Sequence, residues 1–272
     1  MSIYHKHFSP KQILDQNTSY SKILSKIHSA PQRVLDIGCA SGYFGEVIIK
    51  KYKTEVWGID SNLKDINIAA KKLTRVMKLD IENYDFRKIK EKFDLIILAD
   101  IIEHLKNPSI LLTKVQHLLT PTGIVICSVP NFLHFSIKCK IMNNNWSYES
   151  FGLLDKTHLH FFGYNSLVSL LESTNYYIYD MDFVTTELSR KLLLKSLVGS
   201  DIPLTAGHID KLFSLESRIF QYIIVMGTKK PIKYNSYLNK KLSVLQENKT
   251  KSLFNRLVSF IIPIFQKIYG KQ

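Results

Sequence analysis

The sequence of 272 residues is poor in several features that would assign it to common protein classes. Its three cysteines are an odd and scattered set with no disulfide framework, so we expect a reduced, intracellular protein. No apolar run approaches the ~20 residues that a membrane-spanning helix needs. The polar segment 1–11 lacks the apolar core of a secretory signal peptide. We therefore expect a cytoplasmic protein.

Acidic residues are also scarce, with 23 Asp and Glu against 37 Lys and Arg and a net charge of +14. The positive charge is distributed unevenly along the chain. Residues 228–272 carry ten basic residues and one acid, Glu247, which gives this segment a net charge of +9. Residues 1–227 therefore have a net charge of +5. An apolar stripe at helical spacing runs through 254–268, and Pro263 is expected to kink it. Such a helix suits the surface of an anionic membrane. Two interpretations of the tail stay open, peripheral attachment to the inner membrane face and packing on protein.

The rest of the chain is organised around residues 34–45, which predict a buried strand, a glycine turn and the start of a helix. Gly38 and Gly42 bracket the turn, where the backbone must adopt positive φ or approach a ligand closely. Backbone N–H groups at such a turn suit a bound nucleotide. Asp36 lies near the end of the strand, and a carboxylate there is costly unless a ligand or a neighbour satisfies it.

This stretch resembles motif I of the class I S-adenosylmethionine (SAM) dependent methyltransferases, which is an acid, one residue, and then Gly-x-Gly-x-Gly. Ala40 stands in place of the middle glycine. A dinucleotide-binding dehydrogenase is the competing interpretation, because Ala40, Gly42 and Gly45 loosely match its fingerprint. The methyltransferase resemblance implies that SAM is the cofactor and that Asp36, Gly38, Ala40 and Gly42 bind it.

The next three predicted strands place further residues at the same edge of the sheet. The second strand ends at Asp60, where nucleotide-binding α/β folds hold the ribose hydroxyls with an acid. The third ends at Asp80, and Asp80-Ile81 resembles the family motif in which an acid meets the adenine amino group and an apolar neighbour packs on the ring. Ala99 ends the fourth strand and is a further cofactor residue that the resemblance implies. Ligands of open α/β sheets bind at this edge.

Two later strings carry the candidate chemistry. Residues 100–105, Asp-Ile-Ile-Glu-His-Leu, closely resemble a signature of the ubiquinone-biosynthesis-like, or methyltransferase-23-like, branch. Residues 155–162, Asp-Lys-Thr-His-Leu-His-Phe-Phe, look like a second string of that branch. The resemblance implies O-methylation of a small-molecule acceptor or of a lipid- or glycan-linked one. A hydroxyl acceptor must lose a proton, and His104 and His158 are the candidate catalytic bases; the alternative for each is a hydrogen-bonded structural histidine.

Two other functions stay open. Asp100, Glu103 and His104, together with a distant histidine, resemble the ligand set of metal-dependent RNA 3′-terminal 2′-O-methyltransferases. That set begins with Glu and has a second His where Leu105 stands, so we assign no metal site from the sequence. A non-catalytic membrane adaptor with a SAM fold is the other alternative, and the three intact strand acids speak against it. The strings typical of amino-group and pyrimidine methylation are absent, which makes nucleic acid an unexpected partner.

The predicted fold is α/β, a Rossmann-like class I methyltransferase fold with a seven-stranded, mostly parallel sheet, an antiparallel last strand and a C-terminal amphipathic tail. The predicted strands cover residues 34–37, 55–60, 75–80, 93–99, 124–129, 176–183 and 219–227, with a turn at 120–123. The predicted domains are a methyltransferase domain at 1–228, with a leading helix at 9–28, an aromatic insertion at 130–154 and a helical insertion at 188–213, followed by the tail at 229–272.

Overall fold

The computed structural model describes residues 17–186 and 215–230. The described residues form two compact units, a larger one at 17–132, 147–185 and 220–230 and a smaller one at 133–146, 186 and 215–219. The predicted helical insertion, nearly all of the tail and the start of the leading helix lie outside the described residues. Among the helices that are described, none is both long and apolar enough to span a membrane.

Seven strands form one sheet: β1 (Arg33–Ile37), β2 (Glu55–Asp60), β3 (Arg75–Lys78), β4 (Phe93–Ala99), β5 (Leu119–Pro130), β6 (Tyr177–Thr185) and β7 (Ile219–Gly227). The helices are α1 (Ser19–Ser25), α2 (Tyr43–Tyr52), α3 (Leu63–Ala69), α4 (Pro108–Gln116), α5 (Phe135–Met142), α6 (Tyr164–Ser173) and α7 (Leu215–Arg218). Short 3-10 turns cover Phe86–Lys88 and Ile102–His104. The helix α5 belongs to the smaller unit.

The strand order is β3-β2-β1-β4-β5-β7-β6. Strands β1 to β5 pair in parallel, whereas β7 runs antiparallel to β5. The order reverses between β1 and β4, and open α/β sheets bind ligands outside the carboxyl ends of the strands at such a reversal. This topology confirms the predicted fold and places the candidate site at the ends of β1 and β4.

Apolar side chains on both faces hold the central strands in place. Strand β4 reads almost entirely apolar, and its residues from Leu95 to Leu98 are all buried, as parallel strands between two helical layers require. Helix α2 packs Phe44 and Ile48 into the same core as Val34 of β1. Each such aliphatic or aromatic side chain contributes about 1.5–3 kcal/mol through burial.

Several boundaries differ from the sequence predictions, among them the end of β3 at Lys78, two residues before its predicted end. The turn predicted at 120–123 is wrong, because β5 already begins at Leu119 and pairs there with Phe93. A register shift between Phe93 and Leu95 takes up the extra residues, and a side chain on Gly123 would meet the Phe93 carbonyl at 2.7 Å. The described part of the leading helix runs over Ser19–Ser25 only, where the Thr18 hydroxyl caps it by accepting from the Ser21 N–H at 3.2 Å.

Candidate active site

The glycine turn between β1 and α2 has the strained backbone that its sequence predicts. The φ angles of Gly38, Ala40 and Gly42 are +79°, +45° and +74°. A Cβ on Gly38 would overlap the side chain of Ile101, which follows β4. Ala40 is a non-glycine residue in the left-handed region, which costs on the order of 1 kcal/mol. The turn at the carboxyl end of β1 therefore has a backbone conformation that is unfavourable for at least one of its residues, Ala40.

Asp60 holds this turn in place. Its Oδ2 accepts a hydrogen bond from the Ala40 N–H at 3.0 Å, and its Oδ1 accepts from the Asn62 N–H at 2.8 Å. Burial raises the pKa of Asp60, while the two N–H donors partly oppose the shift. The carboxylate thus fixes the conformation of the glycine turn, and its predicted contact with ribose stays a prediction.

Asp36 lies on β1, the strand next to the one that ends at Asp60, and its environment differs from that of Asp60. The side chain of Asp36 is only 3% exposed. Burial, and secondarily the negative charge of Asp60, raise the pKa of Asp36 to about 7. A buried carboxylate is costly unless a positively charged or hydrogen-bond-donating group reaches it.

The remaining predicted cofactor residues also follow parallel strands. Asp80 is exposed and begins a turn, where its carboxylate accepts from the Asn83 side chain at 2.6 Å and from the Glu82 N–H at 3.1 Å. The bond from Asn83 is the main cause that lowers the pKa of Asp80. Ile81 is half-buried, and so is Ala99 at the end of β4. The structure therefore brings the predicted cofactor residues to one edge, and nothing in it tests their individual contacts.

Two more residues lie at this edge: Asp100, which the sequence offered only in the metal alternative, and Tyr20, which sequence reasoning missed. Asp100 has a φ of +55°, and its Oδ1 accepts from the Ser128 hydroxyl at 2.8 Å and from the Gln221 side-chain amide. Burial raises the pKa of Asp100. Tyr20 of α1 stacks on Phe44 with ring centroids 4.7 Å apart. Burial and the carboxylates of Asp100 and Asp36 raise the pKa of the Tyr20 phenol, so the leading helix reaches the acidic edge.

The two predicted histidines meet beside the carboxyl end of β4. His104 ends the 3-10 turn after β4, and His158 lies in the segment after the aromatic insertion. The N–H groups of Leu159 and His160 donate to the Glu103 carbonyl at 2.8 and 3.0 Å, which ties the two segments together. The imidazole centroids of His104 and His158 are 4.8 Å apart. The sequence predicted both residues, and the structure shows that they form one cluster.

Hydrogen bonds determine the tautomer of each imidazole. His104 Nδ1 lies 3.1 Å from both the carbonyl and the hydroxyl of Thr157, and that hydroxyl donates its own proton to Asp155 at 2.7 Å. His158 Nδ1 lies 3.3 Å from the Leu153 carbonyl. These partners can only accept, so each Nδ1 carries a proton, and in the neutral ring the lone pair lies on Nε2. Burial, and secondarily His104, lower the pKa of His158, which keeps that ring neutral.

Glu103 completes the cluster and is a residue that the sequence offered only as part of the alternative metal motif. It is 1% exposed, and among the described residues neither carboxylate oxygen has a hydrogen-bond partner. One ligand atom from each of Glu103, His104 and His158 lies within 4.8 Å of the others. A carboxylate and two imidazole lone pairs can bind a proton, a hydroxyl group or a divalent cation.

Comparison with known proteins supports one family. The model of a family described as "Methyltransferase domain" matches residues 9–180. A "Ubiquinone biosynthesis O-methyltransferase" of Cereibacter sphaeroides is 30% identical over 118 residues, which is 42% of this chain and 47% of that protein. A protein of the same name from Rhodopseudomonas palustris is 31% identical over 126 residues, 44% of this chain and 43% of that protein. The chain thus matches about half the length of these curated relatives.

Solved structures support the fold. A SAM dependent methyltransferase from Archaeoglobus fulgidus superimposes with a TM-score of 0.52 at 20% identity, over 76% of this chain and 89% of that one. A putative methyltransferase from Bacillus halodurans superimposes with a TM-score of 0.54 at 12% identity, over 77% and 98% of the two chains. At these identities the likeness concerns the fold alone.

Proposed function

The chain belongs to the methyltransferase-domain family and is a SAM-dependent methyltransferase, and from this premise we propose that it methylates a hydroxyl oxygen of a small-molecule or lipid-linked acceptor. Relatives at about 30% identity carry the name O-methyltransferase, which supports oxygen as the accepting atom. The dehydrogenase interpretation of the glycine turn is not needed, since the turn, the strand order and the family match all fit SAM.

The residues around the glycine turn fit this cofactor. SAM carries two positive charges, an ammonium and a sulfonium, and the buried Asp36 carboxylate offers negative charge at this edge. Asp60 holds the Ala40 N–H at 3.0 Å, which keeps the turn open for close backbone approach. When bound, SAM supplies an electrophilic methyl group, whose transfer to a hydroxyl oxygen leaves S-adenosylhomocysteine and releases the hydroxyl proton. The protein must therefore hold the acceptor and take up that proton.

The observation that carries the proposal is the pair of imidazoles with Nε2 as the acceptor nitrogen. Thr157 fixes His104, and the Leu153 carbonyl orients His158, so neither ring has to change its tautomer before it accepts a proton. Ile101 links this pair to the cofactor edge, because it follows β4 and lies against Gly38. An acceptor hydroxyl between the two parts would meet a base on one side and the cofactor on the other.

Methyl-labelled SAM and a panel of phenolic, catecholic and lipid-linked hydroxyl acceptors test the proposal, with mass spectrometry to locate the label. His104→Ala and His158→Ala should each lower turnover by about 10²–10⁴-fold, because a positioned base contributes that much. Both variants should keep S-adenosylhomocysteine binding by calorimetry. His28→Ala, which removes an exposed histidine, is the matched control.

Two outcomes would contradict the proposal. Label found on nitrogen or carbon in every accepted substrate would exclude O-methylation. Unchanged turnover in both histidine variants would leave the cluster without a role in proton removal, and alignment of the acceptor would then be the only contribution of the protein.

A further inference from the structure

The cluster of Glu103, His104 and His158 has the composition of a metal site. Two imidazoles and one carboxylate form the ligand sets of several catalytic zinc and iron sites, which leave further positions open for water or substrate. Ligand atoms bound to such a cation at about 2.1 Å lie roughly 3–4 Å from one another. Those of the cluster lie within 4.8 Å, so a side-chain movement of about 1 Å would close the site.

The unsatisfied carboxylate of Glu103 is a second observation, independent of the distances within the cluster. Its carboxylate is buried to 1% exposure, and neither oxygen has a partner among the described residues. Native proteins rarely leave both oxygens of a buried carboxylate unsatisfied, because the loss of hydration is not repaid. A cation between the three groups would satisfy all of them at once.

The groups that would orient the two histidines as metal ligands are already in contact with them. Metal-binding histidines usually donate their other N–H to a carbonyl or a carboxylate, which fixes the ring and its tautomer. His158 has the Leu153 carbonyl in this position. His104 has the carbonyl and hydroxyl of Thr157, and the buried Asp155 holds that hydroxyl at 2.7 Å. The hydrogen bonds that run from His104 through Thr157 to Asp155 therefore resemble those that orient a metal-binding histidine.

We propose that Glu103, His104 and His158 bind a divalent first-row transition metal ion such as Zn²⁺, with an open position for the acceptor hydroxyl. The sequence assigned no metal site, because Leu105 stands where the resembled ligand set has a second histidine, and it did not say which distant histidine would join the cluster; in the fold that histidine is His158. The catalytic part of this inference depends on the proposed O-methylation, whereas metal binding does not. A coordinated hydroxyl loses its proton to water more readily, because the cation stabilises the resulting oxyanion.

Binding is tested on the full chain, stripped with EDTA and without SAM or acceptor. Isothermal titration with Zn²⁺ should show one site, and Co²⁺ should give a visible absorption band that equimolar Zn²⁺ removes. Glu103→Gln and His158→Gln should each lower the affinity by at least about 100-fold, more than the 10–100-fold that outer-shell changes cost. Thr157→Val should lower it by about 10-fold, since the Thr157 carbonyl remains. His28→Gln, at an exposed position, should leave it unchanged.

Several results would overturn the inference. Absence of a saturable site, equal affinity in Glu103→Gln, or an equal loss in His28→Gln would each do so. Should Glu103→Gln fail to fold, the Co²⁺ band of the unaltered chain and its loss in His158→Gln decide the question. Methyl transfer that survives complete metal removal would overturn the catalytic part alone and leave the imidazoles as direct bases. Metal binding without any O-methylation would instead refute the proposed function and keep the site.

Discussion

Asp36→Asn should make the protein without ligand more stable at neutral and alkaline pH while it weakens SAM binding. Burial and Asp60 raise the pKa of Asp36 from 3.8 to about 7. The folded state therefore binds this proton more tightly than the unfolded state does. Its contribution to stability is present at acid pH and is lost as the pH rises from about 4 to about 7.

The size of the effect follows from the shift. Each unit of pKa corresponds to about 1.36 kcal/mol, so a fully ionised Asp36 opposes folding by roughly 4 kcal/mol. Between pH 5 and pH 8 the linkage relation gives a loss of about 2.7 kcal/mol for this group. Asparagine has nearly the same shape but does not ionise, so the variant should lack that part of the pH dependence.

Urea unfolding at both pH values measures the free energy of unfolding of the original chain and of Asp36→Asn. Calorimetry with SAM should show a loss of about 1.5–3 kcal/mol in the variant, the usual value of a charge-assisted hydrogen bond. Asp85→Asn is the control: this acid is at the surface, and its Arg87 neighbour lowers its pKa, so it stays ionised over the whole range. An unchanged loss of stability between pH 5 and pH 8 in Asp36→Asn would refute the reasoning.

Two further predictions concern the glycine turn and the tail. Gly38→Ala should lower the free energy of unfolding by about 1–3 kcal/mol and abolish S-adenosylhomocysteine binding, because the new Cβ overlaps Ile101 at a φ of +79°; urea unfolding and calorimetry measure both, and unaltered binding would contradict it. The full chain should float with anionic vesicles at low salt and less at high salt, whereas a chain ending at Lys230 should not, since residues 228–272 carry a net charge of +9; a full chain that never floats would favour packing of the tail on protein.

The strands and the turn could be predicted because their signals are local. Strands β1, β2 and β4 appear as apolar runs, and Gly38 and Gly42 mark the turn by composition alone. The beginning of β5 could not be predicted in this way, because its Thr-Pro-Thr-Gly string is typical of a turn. It is drawn into the sheet only by pairing with Phe93, which local propensity does not contain.

The candidate site was predictable residue by residue but not as an arrangement. His104 and His158 each belong to a family-like string, yet their proximity depends on the Leu159 and His160 N–H groups bonding to the Glu103 carbonyl. Gln221 reaches Asp100 from β7, 121 residues away in the sequence. Contacts of this kind follow from sheet order, and a single sequence carries no direct signal for them.

Four acids share the edge where β1, β2 and β4 end: Asp36, Asp60, Asp100 and Glu103. Burial raises the pKa of all four, and among the described residues none of them forms an ion pair. Carboxylates that are buried together repel one another when ionised, so this edge lowers the stability of the fold until a positively charged ligand binds.

SAM brings an ammonium and a sulfonium to one part of this acidic edge, and a divalent cation at Glu103 would bring positive charge to the other part. Each such ligand stabilises the fold by mass action. Ligand-induced stability should therefore be larger for SAM than for S-adenosylhomocysteine, which has lost the sulfonium charge that the acidic edge attracts.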